Sequence, residues 1–263
     1  MIHIKKYGFT LAEVLITLGI IGIVAAMTLP TLVSKHQKRL LQKQFLKAYS
    51  TVQQAMKKAE ADLGYTPVCW YWEHSPYAGL GASCVEYTDL GDCARYEYAD
   101  GSPLFSDHNG KATDCSIFAK QILANLNIVK TCIGNAVEGG CIAQYEGNDS
   151  IRKNSNPDLT DYDLRKATTG CGAWRKEYIR TSTSAYMLED GSTIVSYGGS
   201  FTPKIFAIDV NGLKGPNKWG HDIFGFQSVG DVTNGIKLKG GGCAPTESKG
   251  VSTATMIKNI YKK

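Results

Sequence analysis

One carboxylate, Glu13, stands directly before a run of twenty uncharged and mostly apolar residues, Val14–Val33. A run of about 20 such residues is long enough to cross the hydrocarbon core of a bilayer as a helix. An acidic side chain at the bilayer centre costs about 2.5–3.5 kcal/mol, and less near the interface. Glu13 is therefore expected to have a partner, and an ammonium group fits because ion pairing is strong where water is scarce.

Oxygen-bearing side chains recur in a glycine-containing segment near the C-terminus, at Asp209, Asn211, Asn217 and Asp222. Calcium takes about six to eight oxygen ligands, which carboxylates, amides and backbone carbonyls can supply. The segment lacks a final Glu and does not have the EF-hand spacing. The sequence leaves two interpretations open: a calcium site, or a turn held by hydrogen bonds from Asn and Asp without an ion.

The eight cysteines indicate disulfides rather than a metal site. None forms a CxxC pair, and no Cys and His have zinc-finger spacing. An even number in an exported chain predicts up to four disulfides, and the pairing stays open. The candidates are Cys69, Cys84, Cys93, Cys115, Cys132, Cys141, Cys171 and Cys243.

Motifs for catalysis are missing from the sequence. His74, His108 and His221 lie in polar segments without a motif partner, and no GxSxG, HExxH or phosphate-binding glycine loop is present. The sequence therefore predicts that the protein is not an enzyme.

The composition is that of a folded protein. The chain has 263 residues, of which 43% are hydrophobic and 20% charged, and this excludes collagen, a coiled-coil rod and wholesale disorder. The net charge of +5 is small and scattered, so nucleic-acid binding is not expected.

The apolar run continues into an amphipathic segment. Apolar residues recur every three or four positions, which predicts one helix over Phe9–Leu63, about 80 Å long. They are Leu41, Phe45, Tyr49, Val52, Met56, Ala59 and Leu63.

The region that holds six of the cysteines, residues 69–141, has poor periodicity and predicts a loop-rich insertion. Within this region, the pattern over Ser116–Val129 predicts a helix. After it, the polar stretch Glu146–Pro157 predicts a surface loop. The aromatic group Trp70–Trp72 with Tyr77 either plugs the core or forms an exposed binding surface.

From Ala185 the pattern changes to period two. Two strands flank Asp190-Gly191, a strong hairpin signal. Further strands are predicted at Lys204–Val210, Ile223–Val229 and Gly235–Lys239, and Thr253–Tyr261 predicts a short helix or strand. The fold class is therefore α+β, with a long N-terminal helix packed on a small antiparallel sheet and a disulfide-rich insertion.

The N-terminal segment from Lys6 to Leu15, together with Pro30, resembles the N-terminus of type IV pilins and of the pseudopilins of type II secretion. The resemblance implies that a prepilin peptidase cuts between Gly8 and Phe9 and that Phe9 is then N-methylated. Glu13 becomes fifth in the mature chain and Pro30 twenty-second, as in that family. Major pseudopilins also carry calcium in a comparable C-terminal loop.

The resemblance implies a role for Glu13 in assembly: it pairs with the Phe9 amine of a neighbouring subunit and sets the register between helices. The small residues Gly22 and Ala26 either allow close helix approach or are simply tolerated in a membrane helix. Pro30 removes one backbone hydrogen bond, so the helix before it could bend or partly melt during packing.

One signal conflicts with export. The cations after the apolar run outnumber those before it, Lys5 and Lys6, and a strict positive-inside count places the body in the cytoplasm. The cysteines and the leader favour an oxidising compartment instead. The later cations are Lys35, Lys38, Arg39, Lys43 and Lys47.

The sequence therefore predicts a structural subunit of a type IV pilus-like or pseudopilus filament, single-pass in the bacterial inner membrane with its body outside the cytoplasm. Its expected partners are other subunits, the prepilin peptidase and N-methyltransferase, and the inner-membrane assembly platform. The alternative is a membrane-anchored binding module or hydrolase that does not polymerise. The predicted segments are 1–8 (leader), 9–33 (membrane half of the helix), 34–64 (amphipathic half), 65–184 (cysteine-rich) and 185–263 (sheet).

Overall fold

The computed structural model describes residues 10–67, 69, 83–87, 93–98, 100–101, 112–231, 235–241 and 243–260. The helices are α1 (Leu11–Leu63), α2 (Ala112–Ala124), α3 (Asn148–Ser155), α4 (Asp161–Ala167), α5 (Lys176–Ser182) and α6 (Thr253–Ile260). The strands are β1 (Ser83–Tyr87), β2 (Cys93–Glu97), β3 (Ile128–Cys132), β4 (Ala185–Leu188), β5 (Thr193–Ser196), β6 (Ile205–Asp209), β7 (Ile223–Asp231) and β8 (Gly235–Gly240). The chain divides into two compact units, residues 1–43 and 44–263.

The first unit contains the apolar half of α1. Its large apolar side chains are exposed: the exposed fraction is lowest for Val14, at 43%, and highest for Leu11, at 80%. The hydroxyls of Thr17 and Thr28 donate to carbonyls of their own helix, at 3.0 Å and 2.8 Å, so they need no water. In the described part of the chain, α1 is the one helix long and apolar enough to cross a membrane.

A six-stranded antiparallel sheet forms the centre of the second unit. Its strands follow chain order, β3-β4-β5-β6-β7-β8, so each pairs with its neighbour in sequence. The predicted hairpin is confirmed as β4 and β5, and the three later predicted strands are confirmed as β6, β7 and β8. A separate two-stranded sheet pairs β1 with β2.

Aromatic packing joins one face of the sheet to the amphipathic half of α1. The Phe45 ring lies edge-on to Phe224, with centroids 4.7 Å apart, and stacks on Phe226 at 6.0 Å. Tyr49 also stacks on Phe226. One turn further along the helix, Val52 is fully buried. The part of the predicted amphipathic stripe from Phe45 to Val52 therefore lies on the face of α1 that contacts the sheet.

Two polar side chains of α1 bind the edge of the sheet. The N–H of Ile236 donates to Glu60 Oε1 at 2.8 Å, and the N–H of Leu238 donates to Gln53 Oε1 at 3.3 Å. Both donors belong to β8, an edge strand whose outer N–H groups would otherwise need water. The helix thus satisfies this sheet edge as well as covering one face.

A second apolar layer covers the other face of the sheet. Strand residues Ile205 and Ala207 face a cluster that includes Tyr145, Trp174 and Trp219, all fully or almost fully buried. Every residue of β5 and β6 is buried, because the sheet is covered on both sides. The cysteine-rich region supplies much of this layer.

The structure corrects the predicted end of α2. The helix ends at Ala124, and Ile128 and Val129 lie in β3, a sheet strand that the sequence did not predict. The N–H of Glu189 donates to the Asn127 carbonyl at 2.9 Å. Pairing with the β4–β5 hairpin therefore draws this segment into the sheet.

The prediction of a surface loop over Glu146–Pro157 was wrong, since this stretch contains α3. Polar contacts stabilise its first turn. The side chain of Asn148 donates to the Cys171 carbonyl at 2.9 Å, and Asp149 Oδ1 accepts from the Lys176 N–H at 2.9 Å. These partners are distant in sequence, which is why local periodicity did not predict the helix.

Among the described side chains, three disulfides link parts of the second unit: Cys69–Cys115, Cys132–Cys141 and Cys171–Cys243. The remaining cysteines, Cys84 and Cys93, have backbones on β1 and β2, and their side chains lie outside the described part of the structure. The first disulfide joins the segment after α1 to α2, the second lies within the second apolar layer, and the third joins that layer to the segment after β8. Disulfides stabilise a fold mainly by restricting the unfolded chain.

Phe45→Ala is expected to destabilise the second unit by about 3–5 kcal/mol, because it empties a buried aromatic site. Leu46→Ala is the matched control: Leu46 is 46% exposed, so its loss is expected to stay within about 0.5 kcal/mol. Urea unfolding of the full chain in nonionic detergent, followed by tryptophan fluorescence, measures both. Equal losses in the two variants would contradict the packing described.

Candidate functional site

The proposed cleavage residues Gly8 and Phe9 lie outside the described residues, which begin at Thr10. The cut itself therefore stays a prediction from the sequence. Thr10, the first residue that the structure describes, precedes α1 directly.

Glu13 folds back on the start of its own helix. Its Oε2 accepts hydrogen bonds from the Thr10 N–H and from the Thr10 hydroxyl, both at 2.8 Å. The Glu13 N–H in turn donates to Thr10 Oγ1 at 3.3 Å. This reciprocal pattern is a capping box, which satisfies N–H groups that the first turn of a helix leaves unpaired. The carboxylate is thus held within one turn of the predicted mature N-terminus.

Gly22, Ala26 and Pro30 all lie within the uninterrupted helix α1. A Cβ added at Gly22 would meet no atom within 4 Å, so the single chain does not use the space that this glycine leaves. Proline lacks the N–H that a residue at this position would donate to the Ala26 carbonyl. The helix nevertheless continues through Pro30 without a break.

The four predicted calcium ligands are linked by hydrogen bonds around two buried carboxylates. Asp209 ends β6 and Asp222 immediately precedes β7, and both are 0% exposed. Asp209 Oδ1 accepts from the Asn211 N–H at 3.2 Å. Asp222 Oδ2 accepts from the Asn217 N–H at 2.7 Å.

The loop backbone holds the Asp222 carboxylate firmly. Its Oδ2 accepts from the Asn217 N–H and its Oδ1 from the Lys218 N–H, each at 2.7 Å. Asn217 has a positive φ of 54°, a conformation that Asn adopts more readily than most residues. The turn thus aims two successive N–H groups at one carboxylate.

Two amide oxygens in this loop are buried without a hydrogen-bond partner: Asn211 Oδ1 and Asn217 Oδ1. The amide nitrogen of Asn211 is satisfied, since it donates to the Gly215 carbonyl at 3.1 Å. A buried polar atom without a partner costs roughly 1–3 kcal/mol. Oxygens of this kind beside two buried carboxylates are suited to a hard cation.

The loop offers a cation only two charged ligands, Asp209 and Asp222. Among the described residues, no three His, Cys, Asp or Glu side chains converge on a point where they could hold a metal. A cation in this loop would therefore depend on Asp209 and Asp222 together with amide and backbone carbonyl oxygens. Calcium accepts such neutral oxygen ligands.

Burial, with a smaller contribution from the nearby Asp222 charge, raises the pKa of Asp209 to about 7, although the hydrogen bond from Tyr145 lowers it. Burial also raises the pKa of Asp222. A carboxyl whose pKa is higher in the folded state binds its proton more tightly there than in the unfolded chain. Its contribution to stability is therefore present below about pH 4 and is lost as the pH rises towards 7.

Sequence reasoning missed Tyr145, whose hydroxyl donates to Asp209 Oδ2 at 2.8 Å. Burial and the Asp209 charge raise the pKa of this tyrosine well above its usual range, so it remains a donor. Tyr145 lies 64 residues before Asp209 in the sequence. No local pattern links the two, and only the covered second face of the sheet brings them together.

Comparison with known protein families identifies one feature. A family profile, the prokaryotic N-terminal methylation motif, matches residues 4–29. This is the prepilin motif of type IV pilins and pseudopilins, and it supports a pilin-like or pseudopilin precursor. The match covers Gly8, Phe9 and Glu13 but stops just before Pro30.

No curated protein and no solved structure matches the chain significantly. The second unit is therefore characterised by its own structure alone. Proteins with the methylation motif are generally structural rather than enzymatic.

Proposed function

We propose that this chain is a structural subunit of a type IV pilus-like or type II secretion pseudopilus filament, cut between Gly8 and Phe9 and polymerised through α1. One observation carries the proposal. The methylation motif over residues 4–29 coincides with a helix whose apolar side chains its own chain leaves exposed. Such a helix needs either lipid or copies of itself around it.

The exposed apolar surface of α1 suits both a subunit inserted in the membrane and a subunit packed in a filament. The apolar part of α1 is long enough to cross a membrane, and none of it is buried inside the described chain. Before assembly, the bilayer covers these side chains in a single pass through the inner membrane. In the filament, neighbouring helices cover them, and Gly22 and Ala26 allow a close approach.

The disulfides support a body outside the cytoplasm. Three pairs are formed in the second unit, and disulfides persist in oxidising compartments. The positive-inside count argues for the reverse orientation. The disulfides carry more weight because they are covalent features of the second unit.

In the assembled state, Glu13 pairs with the methylated amine of Phe9 from a neighbouring subunit. The capping box supports this role because it holds the carboxylate near the mature N-terminus. The prepilin peptidase and N-methyltransferase create the amine, and the inner-membrane assembly platform adds the subunit to the filament. A pair of opposite charges within an apolar bundle fixes the stagger between helices.

The mature N-terminus tests the processing step. Intact mass and N-terminal peptide mapping of the membrane-extracted protein are expected to show a chain that begins with methylated Phe9. An intact Met1, or a cut after Ala26, would instead favour a membrane-anchored binding module or hydrolase that does not polymerise.

Glu13→Gln tests the charge separately from the cap. Glutamine keeps an oxygen that Thr10 can donate to, but it cannot form an ion pair. We expect Glu13→Gln and Glu13→Leu to insert in the membrane normally and to be lost from sheared filaments.

Thr10→Val is the matched control, because it removes the capping hydroxyl and keeps the charge; we expect it to assemble. Normal filaments from Glu13→Gln would show that the cap, and not the charge, is the essential feature.

We also propose that the loop between β6 and β7 binds calcium through Asp209, Asn211, Asn217 and Asp222. The two buried amide oxygens without partners favour this over an ion-free turn. Calcium requires the ionised carboxylates, so its binding releases a proton from Asp209 below about pH 7. The ion would tie the two strands together at the covered face of the sheet.

Calcium added to chelator-treated full chain in nonionic detergent is expected to raise the melting temperature, and more at about pH 8 than at about pH 5.5. The pH difference follows because the proton competes with the ion. Asp222→Asn is expected to abolish the rise, while Asp158→Asn, an exposed acid elsewhere, keeps it. An unchanged melting temperature for the wild type at both pH values would rule the site out.

A further inference from the structure

Four cations form a stripe on α1 immediately after the apolar run: Lys35, Lys38, Arg39 and Lys43, called here the basic stripe. Lys35, Arg39 and Lys43 are spaced four residues apart, so they share one face of the helix, and Lys38 lies beside them. All four are exposed. No acidic residue occurs between Glu13 and Glu60 to neutralise them.

The basic stripe is unpaired in the part of the chain that the structure describes. No ion pair involves any of its four members there. Lys47, one turn further along, differs: its ammonium lies 3.3 Å from Asp190 of the β4–β5 hairpin. The second unit therefore supplies a counter-charge for Lys47, and the described residues supply none for the stripe.

The position of the stripe along the helix matches the depth of lipid headgroups. Counted from Val33 at about 1.5 Å per residue, Lys35 lies about 3 Å beyond the apolar run and Arg39 about 9 Å beyond it. The headgroup layer on each side of a bilayer is roughly 5–8 Å thick. Lys43 is about 15 Å beyond the run, within a Debye length of about 8–10 Å from the headgroups.

We propose that the basic stripe binds the phosphates of anionic lipid headgroups while the chain is anchored in the membrane. The proposal rests on the anchoring part of the proposed function. The guanidinium of Arg39 can bind a phosphate through two parallel N–H donors, and the lysine ammonium groups act as point charges. Lipid is favoured over an acidic protein partner because the stripe directly continues the exposed apolar run.

This contact explains why the cations are tolerated despite the positive-inside count. Each basic residue near an anionic surface strengthens membrane binding by about fivefold. The stripe therefore holds the helix at one depth and stabilises the stored subunit against extraction. Extraction into a filament requires release of these headgroups.

The test uses the full chain reconstituted into vesicles of equal parts phosphatidylglycerol and phosphatidylcholine. Native mass spectrometry of the extracted protein counts the two lipids that remain bound. The stripe variant replaces Lys35, Lys38, Arg39 and Lys43 by Gln. A charge-matched control replaces four exposed lysines elsewhere by Gln: Lys58, Lys120, Lys249 and Lys258.

We expect the wild type and the control to retain phosphatidylglycerol in preference to phosphatidylcholine. The stripe variant is expected to lose that preference by about fivefold for each of its four charges, or roughly several hundredfold in total. Excess inorganic phosphate is expected to compete only weakly with the lipid for the basic stripe. A free phosphate ion binds singly, whereas a bilayer presents many headgroups at once.

Four results would overturn the proposal. If the wild-type chain inserts but shows no lipid preference, the stripe does not bind anionic lipid, although α1 still anchors the chain. If the chain does not enter vesicles at all, both the lipid binding and the anchoring are wrong. Equal loss in the control shows a net-charge effect. A stripe variant that keeps its lipid preference but fails to enter filaments shows that the stripe faces a neighbouring subunit instead.

Discussion

The apolar half of α1 presents a surface that the described part of the chain does not bury. Its side chains are 43% to 80% exposed, and the described chain folds nothing over them. An exposed apolar surface of this size must be covered by lipid or by other protein. The prepilin motif at residues 4–29 lies on the same segment. Under the proposed function, lipid covers this surface before assembly and neighbouring helices cover it in the filament.

In the second unit, the sheet packs against the amphipathic half of the same helix. Phe45 and Tyr49 pack on Phe224 and Phe226, and polar side chains of α1 bind the edge of β8. The disulfides and the second apolar layer stabilise the sheet from the opposite face. The amphipathic half of α1 within the second unit is thus held on the sheet by aromatic packing and by hydrogen bonds.

The buried carboxylate of Asp209 is a consequence of strand register. Ile205 and Ala207 face the second apolar layer, and Asp209 follows them on the same face because side chains alternate along a strand. The position would be costly for an isolated charge, and Tyr145 and the Asn211 N–H compensate in part. Its raised pKa reflects the remaining cost. A divalent cation at this position would remove that cost by keeping both Asp209 and Asp222 ionised.

Features that depend on local chemistry were predictable from the sequence. The long helix, the hairpin at Asp190-Gly191 and the prepilin segment are each encoded by short periodicities or a contiguous motif. Features that depend on distant partners became visible in the fold alone: the pairing of Cys171 with Cys243, the strand β3, the polar helix α3 and the contact of Tyr145 with Asp209. This difference arises because a sheet covered on both faces brings together residues whose separation in sequence carries no pattern.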